Sequence, residues 1–359
     1  GTDITSGSYN ILFGRNIASG MTTGSSNIAM GTGTLGGDTA STVTGNQNIM
    51  LGSLIAVAAT SAGYNTIIGP QAGRYLTTTG YNALFGAYAG IRMRGAYNIA
   101  LGANAMEGSS TASNNTGGCN IALGKSSGSG LTTGIGNVFM GYEAGTAHSS
   151  GQYNTYIGHK AGCADTDGQS NLFIGCCIAH QFNGGSGNVL LGQSIGSALG
   201  TSGDPVSTIM IGNDVGREAT YGCTVFAGHS AGKFGTDHRF SIIMGYCAGY
   251  GVTGCSGGNT NIILGNEAGK CIQTGLCNVF IGACAGKAVT SASENIAIGK
   301  NSGLAITSGN CNVLVGTIAG CKITTSFDNV MIGCGAGMGN ETGCENIFIG
   351  KCTAAAAAG

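Results

Sequence analysis

One five-residue signature, Asn followed by three apolar residues and Gly, returns twenty times along the chain and governs what it can fold into. It reads Asn27-Ile28-Ala29-Met30-Gly31, then Asn137-Val138-Phe139-Met140-Gly141, then Asn278-Val279-Phe280-Ile281-Gly282, and ends at Asn346-Ile347-Phe348-Ile349-Gly350. Of the nineteen steps between closing glycines, thirteen are 17 residues, two are 16 and four are longer by 3 to 5. Two variable residues follow the closing Gly, then often Ala-Gly, as in Ala72-Gly73 and Ala144-Gly145, then a Thr- and Ser-rich stretch such as Thr132-Thr133-Gly134. Seventeen residues are too few for a hairpin plus a helix, and no segment carries the 3.6-residue period of an amphipathic helix. Each unit therefore reads as a short strand, a glycine corner, a second short extended piece and a second corner, stacked on its neighbours. The fold class expected is all-β: a β-solenoid of about twenty 17-residue coils.

In such a stack equivalent residues lie above one another at about 4.8 Å, so every repeat position becomes a ladder. The first ladder is Asn in seventeen copies, among them Asn27, Asn48, Asn82, Asn137, Asn154, Asn278 and Asn346, with Thr208, Thr224 and Ser241 as exceptions. An amide can donate and accept along the stack, which makes this a structural Asn ladder. The closing Gly is present in all twenty copies and implies a positive φ or a backbone approach that a Cβ would block. Of the three apolar columns, the outer two, such as Ile121 and Leu123, are expected to point into the coil and the middle one outward. The middle column is apolar or aromatic throughout, so an outward stripe of that kind needs a cover. Self-association supplies the simplest one, with Phe139, Phe173, Phe280 and Phe348 as chain-interface candidates.

Composition supports a folded scaffold of nearly zero net charge. Seventy glycines lack a Gly-X-Y period, which excludes collagen, and the Ile, Val, Leu and Phe content excludes a disordered linker. The 14 Lys and Arg are scattered singly and the net charge is −1, which gives no basic stripe for nucleic acid and no membrane-binding patch. No apolar run reaches the length of a membrane span, and Gly1-Thr2-Asp3 is neither an initiator Met nor a signal peptide, the pattern of a processed chain or of part of a longer one. Residues 1–8 read as a lead-in, 9–352 as a single repeat shaft and 353–359 as a tail whose alanines stand for residues of unassigned identity. The fifteen cysteines include no C-x-x-C pair, which argues against a zinc ribbon; disulfides and plain burial of small thiols both stay open.

Catalysis needs converging polar groups, and none stands out. His159 and His229 share the position after a closing Gly but lie four coils apart, and read as exposed corner residues. Asp165-Thr166-Asp167 lacks the rest of a calcium loop and reads as a solvated turn. The expectation is no catalytic residue, no metal and no cofactor. A carbohydrate-active β-helix enzyme with carboxylates from separate chains is the alternative from another class, and an ice-binding solenoid ranks last because the Thr pairs recur irregularly. The four longer steps put their extra residues within 36–47, 107–119, 196–207 and 249–260, expected to bulge from one edge and to carry external contacts. One holds Asn114-Asn115-Thr116, a glycosylation acceptor at Asn114.

Stretches such as Asn82-Ala83-Leu84-Phe85-Gly86-Ala87-Tyr88-Ala89-Gly90 and Asn154-Thr155-Tyr156-Ile157-Gly158-His159-Lys160-Ala161-Gly162 resemble the repeats of bacteriophage tail fibres and the head repeats of trimeric autotransporter adhesins. The resemblance covers about residues 9 to 352 and implies a parallel, three-chain β-roll or β-prism on a fibre axis. The 17-residue period and the many cysteines depart from the adhesin pattern. The function expected on this basis is that of a structural fibre shaft, a homotrimer at the extracellular or virion surface, that contacts copies of itself and a cell-surface glycan or receptor. A self-assembling extracellular filament or pilus subunit is the alternative.

Overall fold

In a computed structural model of the chain, the residues described are 4–36, 43–110, 115–196, 206–218, 222–235, 238–252 and 258–354. Twenty strands, all parallel, form a β-solenoid, and there is no helix among the described residues. The chain divides into two compact units, residues 1–184 and 185–359. The first holds ten strands, β1 (Ile11–Arg15) to β10 (Leu172–Cys176), and the second ten more, β11 (Val189–Gln193) to β20 (Ile347–Ile349). Each strand lies on the signature, three to five residues long, and repeat position pairs with repeat position: Ile121 with Val138, Ala122 with Phe139, Leu123 with Met140. The other sides of each coil are laddered too, as in Gly145 N–H to Ala161 O (3.0 Å), Ala147 N–H to Cys163 O (3.1 Å) and Ser149 N–H to Thr166 O (2.7 Å). Backbone donors off the strands thus find partners one coil away.

The closing glycines answer both halves of the expectation. Gly158 has φ +130°, and a Cβ built on it would stand 2.1 Å from the carbonyl oxygen of Gly175 in the next coil. A second left-handed position had no glycine to announce it. The residue directly before the Asn column has positive φ in all twenty coils, although it is Tyr64, Tyr81, Tyr97, Tyr153, Phe240 or Cys311 as readily as Gly136 or Gly187. That geometry costs a bulky residue about 1–2 kcal/mol. It also aims the N–H at the preceding coil, as in Tyr153 N–H to Ile135 O (3.0 Å) and Ser26 N–H to Ser8 O (2.8 Å).

The core overturns the expected orientation of the strand. The middle column points inward: Met50, Ile67, Leu84, Phe139, Tyr156, Phe173, Phe226, Ile263, Phe280 and Leu314 are completely buried. The two flanking columns face out, with Leu101 52% and Met244 43% exposed. Two further inward columns complete the interior. One is the third residue after the closing Gly, such as Ala144, Ile195 or Ala268, and the other lies six residues before Asn, at Leu76, Leu131, Phe182, Ile272 and Ile306. The frequent Gly after Ala makes room for this filling. A Cβ on Gly145 would meet the Phe139 ring at 2.6 Å, and one on Gly162 would meet Tyr156 at the same distance.

Candidate functional site

The Asn ladder is built as its chemistry required. Asn137 is buried; its backbone N–H and its Nδ2 both donate to Asn120 Oδ1 (2.9 and 3.1 Å), and Nδ2 also donates to Gly151 O (2.9 Å). The same pattern runs through Asn27, Asn48, Asn154 and Asn278. Asn82 donates in the same way to Asn65, and the half-buried Asn346 to Asn329. Where the amide is absent a shorter group substitutes, as when Asn261 N–H donates to Ser241 Oγ (3.1 Å). An amide with three or four bonds inside each coil is spent on coil stacking, so this ladder is a scaffold.

Phe139, Phe173 and Phe280 are not at a chain interface: each is sealed inside its own coil, and Phe348 is half-buried in the last one. The physical reason is strand parity. Asn and the middle apolar residue are two apart and share a face, so burying the amide for its hydrogen bonds buries the middle side chain as well. Asn114, and residues 37–42, 111–114, 197–205 and 253–257 of the four insertions, lie outside the described residues.

The surface that remains to be explained is the outer face of the strands. Its first column runs Ile28, Ile49, Thr66, Ala83, Ile99, Ile121, Val138 and onward, its second Met30, Leu51, Ile68, Phe85, Leu101, Leu123, Met140 and onward. Across all twenty strands only Thr66 and Thr155 interrupt these two columns with a polar group. An antiparallel sheet facing water alternates apolar with polar residues along each strand, whereas this face is apolar at both outward positions of nearly every coil. Beside the first column, the exposed rings of Tyr64, Tyr81 and Tyr97 stack at 4.8 and 5.0 Å. Beside the second, Lys125, Tyr142 and His159 stand in line, with Lys125 Nζ 5.8 Å from the Tyr142 ring centre and the Tyr142 and His159 rings stacked at 5.4 Å.

Among the described residues the interior holds a polar cluster that the sequence reading missed. Asp165 is fully buried and not a solvated turn. Its Oδ1 accepts from the backbone N–H of Gly168 (3.1 Å) and of Gly184 (3.0 Å), and its Oδ2 accepts from the Tyr156 hydroxyl and lies 3.3 Å from Nδ1 of the buried His148. Burial, and then the charge of Asp165, push the Tyr156 phenol well above its ordinary range. His148 and Asp165 occupy the inward column of Leu131 and Phe182, a register that identifies both as core positions. Three such groups within reach of one another have the elements of proton-transfer chemistry, but all are closed to solvent and to substrate.

Comparison of the chain with protein-family models, with curated proteins and with solved structures finds no match in any of the three.

Proposed function

We propose that this chain is a non-enzymatic structural protein of a fibre at an extracellular or virion surface, held together by its outer strand face packing against copies of itself. The observation that carries this reading is the pair of apolar columns on that face. An exposed apolar surface of this kind is covered in working proteins. The cover has to match a repeat of about 4.8 Å along its length. A second copy has that period by construction, whereas an unrelated globular partner does not. Three such faces about one axis give the arrangement implied by the resemblance to tail-fibre and adhesin repeats. Contact with a cell-surface glycan or receptor falls to the insertions, since the coil interior is committed to stacking and the outer strand face to packing against copies. The absence of a catalytic role is supported by the sealing of the His148, Tyr156 and Asp165 cluster.

The test is sedimentation of the full chain beside a triple variant, Leu101→Asp, Leu123→Asp, Met140→Asp, with circular dichroism to verify that the coils persist. The expected outcome is a trimer or larger assembly for the native chain and monomers for the variant. A native chain that sediments as a monomer at micromolar concentration would overturn the proposal. Imaging the native assembly separates a capped rod from an unbounded filament.

A further inference from the structure

At the end of β10 the stack brings three metal-ligating side chains to one corner. His159 follows the closing Gly158, and Cys176 takes the same position one coil later, after Gly175, with Cys177 next to it. Cys177 N–H donates to the carbonyl of His159 (2.9 Å), which locks the two corners in register. The sulfurs of Cys176 and Cys177 are 3.1 Å apart, and each lies 3.9 Å from His159 Nδ1. The three ligand atoms thus all fall within 4.8 Å of one another, the one such group of His, Cys, Asp and Glu side chains among the described residues. A tetrahedral Zn²⁺ with bonds of about 2.3 Å to sulfur and 2.0–2.1 Å to nitrogen spans about 3.8 Å between sulfurs and about 3.6 Å between sulfur and nitrogen. The observed triangle departs from this by less than about 1 Å, within reach of side-chain rotation at a corner where His159 is exposed and the two cysteines are half-buried.

We propose that His159, Cys176 and Cys177 form a binding site for a thiophilic cation of the Zn²⁺ class. Two thiols lose their protons to solvent on binding, His159 coordinates as neutral imidazole through Nδ1, and two thiolates balance the dication. Several features support it. Stacking on Tyr142 holds the imidazole plane. Thiolate and imidazole donors select Zn²⁺ over the hard cations Mg²⁺ and Ca²⁺. The site would pin the last coils of the first unit to one another by a bond stronger than the stacking beside it.

The experiment is a Co²⁺ titration of the full chain, reduced and stripped with chelator, followed by Zn²⁺. A thiolate-to-cobalt charge-transfer band with tetrahedral ligand-field absorption, complete at one equivalent and abolished by Zn²⁺, is expected. The double variant Cys176→Ser, Cys177→Ser should lose the band. His159→Ala should weaken binding by about 100-fold or more, since changes to partners of the ligands already cost about 10–100-fold. Cys277→Ser with Cys284→Ser, at cysteines elsewhere in the chain, should leave it intact. Absence of the band in the native chain, or its survival in both site variants, would overturn the proposal. Should His159→Ala perturb the coils by circular dichroism, His159→Gln at the same exposed corner replaces it.

Discussion

The coils closed by Gly141, Gly158 and Gly175 and those closed by Gly282, Gly299 and Gly316 share one backbone and differ in what fills it. In the first group the interior stacks Phe139, Tyr156 and Phe173, with ring centres 5.4 and 4.7 Å apart, against His148, Asp165 and Phe182. In the second the same columns hold Phe280, Ala297 and Leu314 against Val289, Ile306 and Ile323. Yet the shell is common to both: Asn154 donates to Asn137 at 2.9 Å by backbone and side chain, Asn312 to Asn295 at 3.0 Å by each. An interior that accepts a carboxylate in one place and isoleucine in another is not what specifies the coil. Specification lies in the Asn ladder, the closing Gly and the left-handed residue before Asn.

If so, the largest effects belong to the shell and should be equal in the two groups. Gly158→Ala and Gly299→Ala each place a Cβ against the next coil's backbone, 2.1 Å from Gly175 O and 2.6 Å from Gly316 C and O, at φ +130° and +131°. Each is expected to cost about 4 kcal/mol, from the clash together with left-handed strain. Denaturant midpoints of the two variants measure this. One variant tolerated and the other not would show that the groups differ in backbone and not only in filling.

The shell was also the legible part. The Asn and Gly columns can be read from residue identity alone, because an amide ladder and a Cβ-free approach each have few other uses. The direction of the strand was not read correctly, since all three columns between Asn and Gly are apolar and alternation by itself does not say which face is inside. The parity of Asn with the middle residue carries that information once the amide is recognised as buried, and so does the pairing of bulky Phe139 or Tyr156 with a Gly after the corner. The left-handed tyrosines and cysteines before Asn could not be inferred, because their side chains carry no preference for that geometry. The His159 and cysteine corner joins two coils whose residues are 17 and 18 apart, and becomes visible only when the repeat is wrapped into register.

A smaller effect should come from exchanging the fillings. Tyr156→Phe removes the hydroxyl donor to Asp165, and Phe280→Tyr inserts a hydroxyl into an aliphatic interior; each is expected to cost about 1–3 kcal/mol at neutral pH. The alkaline behaviour separates them. The Tyr156 phenol is raised in the folded state, chiefly by burial, so the folded chain keeps a proton that the unfolded chain releases above about pH 10. Its contribution is present below that pH and is lost as pH rises toward the folded value. Tyr156→Phe should therefore lose less stability than the native chain between about pH 8 and 11, measured by denaturant unfolding at each pH. Identical alkaline losses would show that Asp165 and burial do not hold that proton.

The smallest expected effect lies on the surface of the second group, at Glu267. Lys270 of the same coil and Lys287 of the next donate to its two oxygens at 2.5 and 2.6 Å, and these hydrogen bonds lower its carboxyl to about 2. A depressed carboxylate contributes stability above its ordinary value of 4.5, and that contribution fades as pH falls from there toward 2. Water screens the cluster, so Glu267→Gln should cost about 0.5 kcal/mol or less at pH 7 despite the size of the shift. Glu143 offers the matching change in the first group: its carboxyl is also lowered, first by the Tyr142 hydroxyl, while Lys160 stands 3.4 Å away. Denaturant unfolding of both glutamine variants at pH 7 and pH 2, in low salt and at about 1 M, where charges are screened within about 3 Å, distinguishes the two sites. The Glu267 difference should fall to a small remainder at pH 2, where the folded carboxyl is about half protonated, and shrink in salt, because it is charge-borne. The Glu143 difference should respond less to salt, because its first cause is a neutral donor. Equal salt responses would mean that the second group's surface lysines do no more for coil stacking than a tyrosine hydroxyl does in the first.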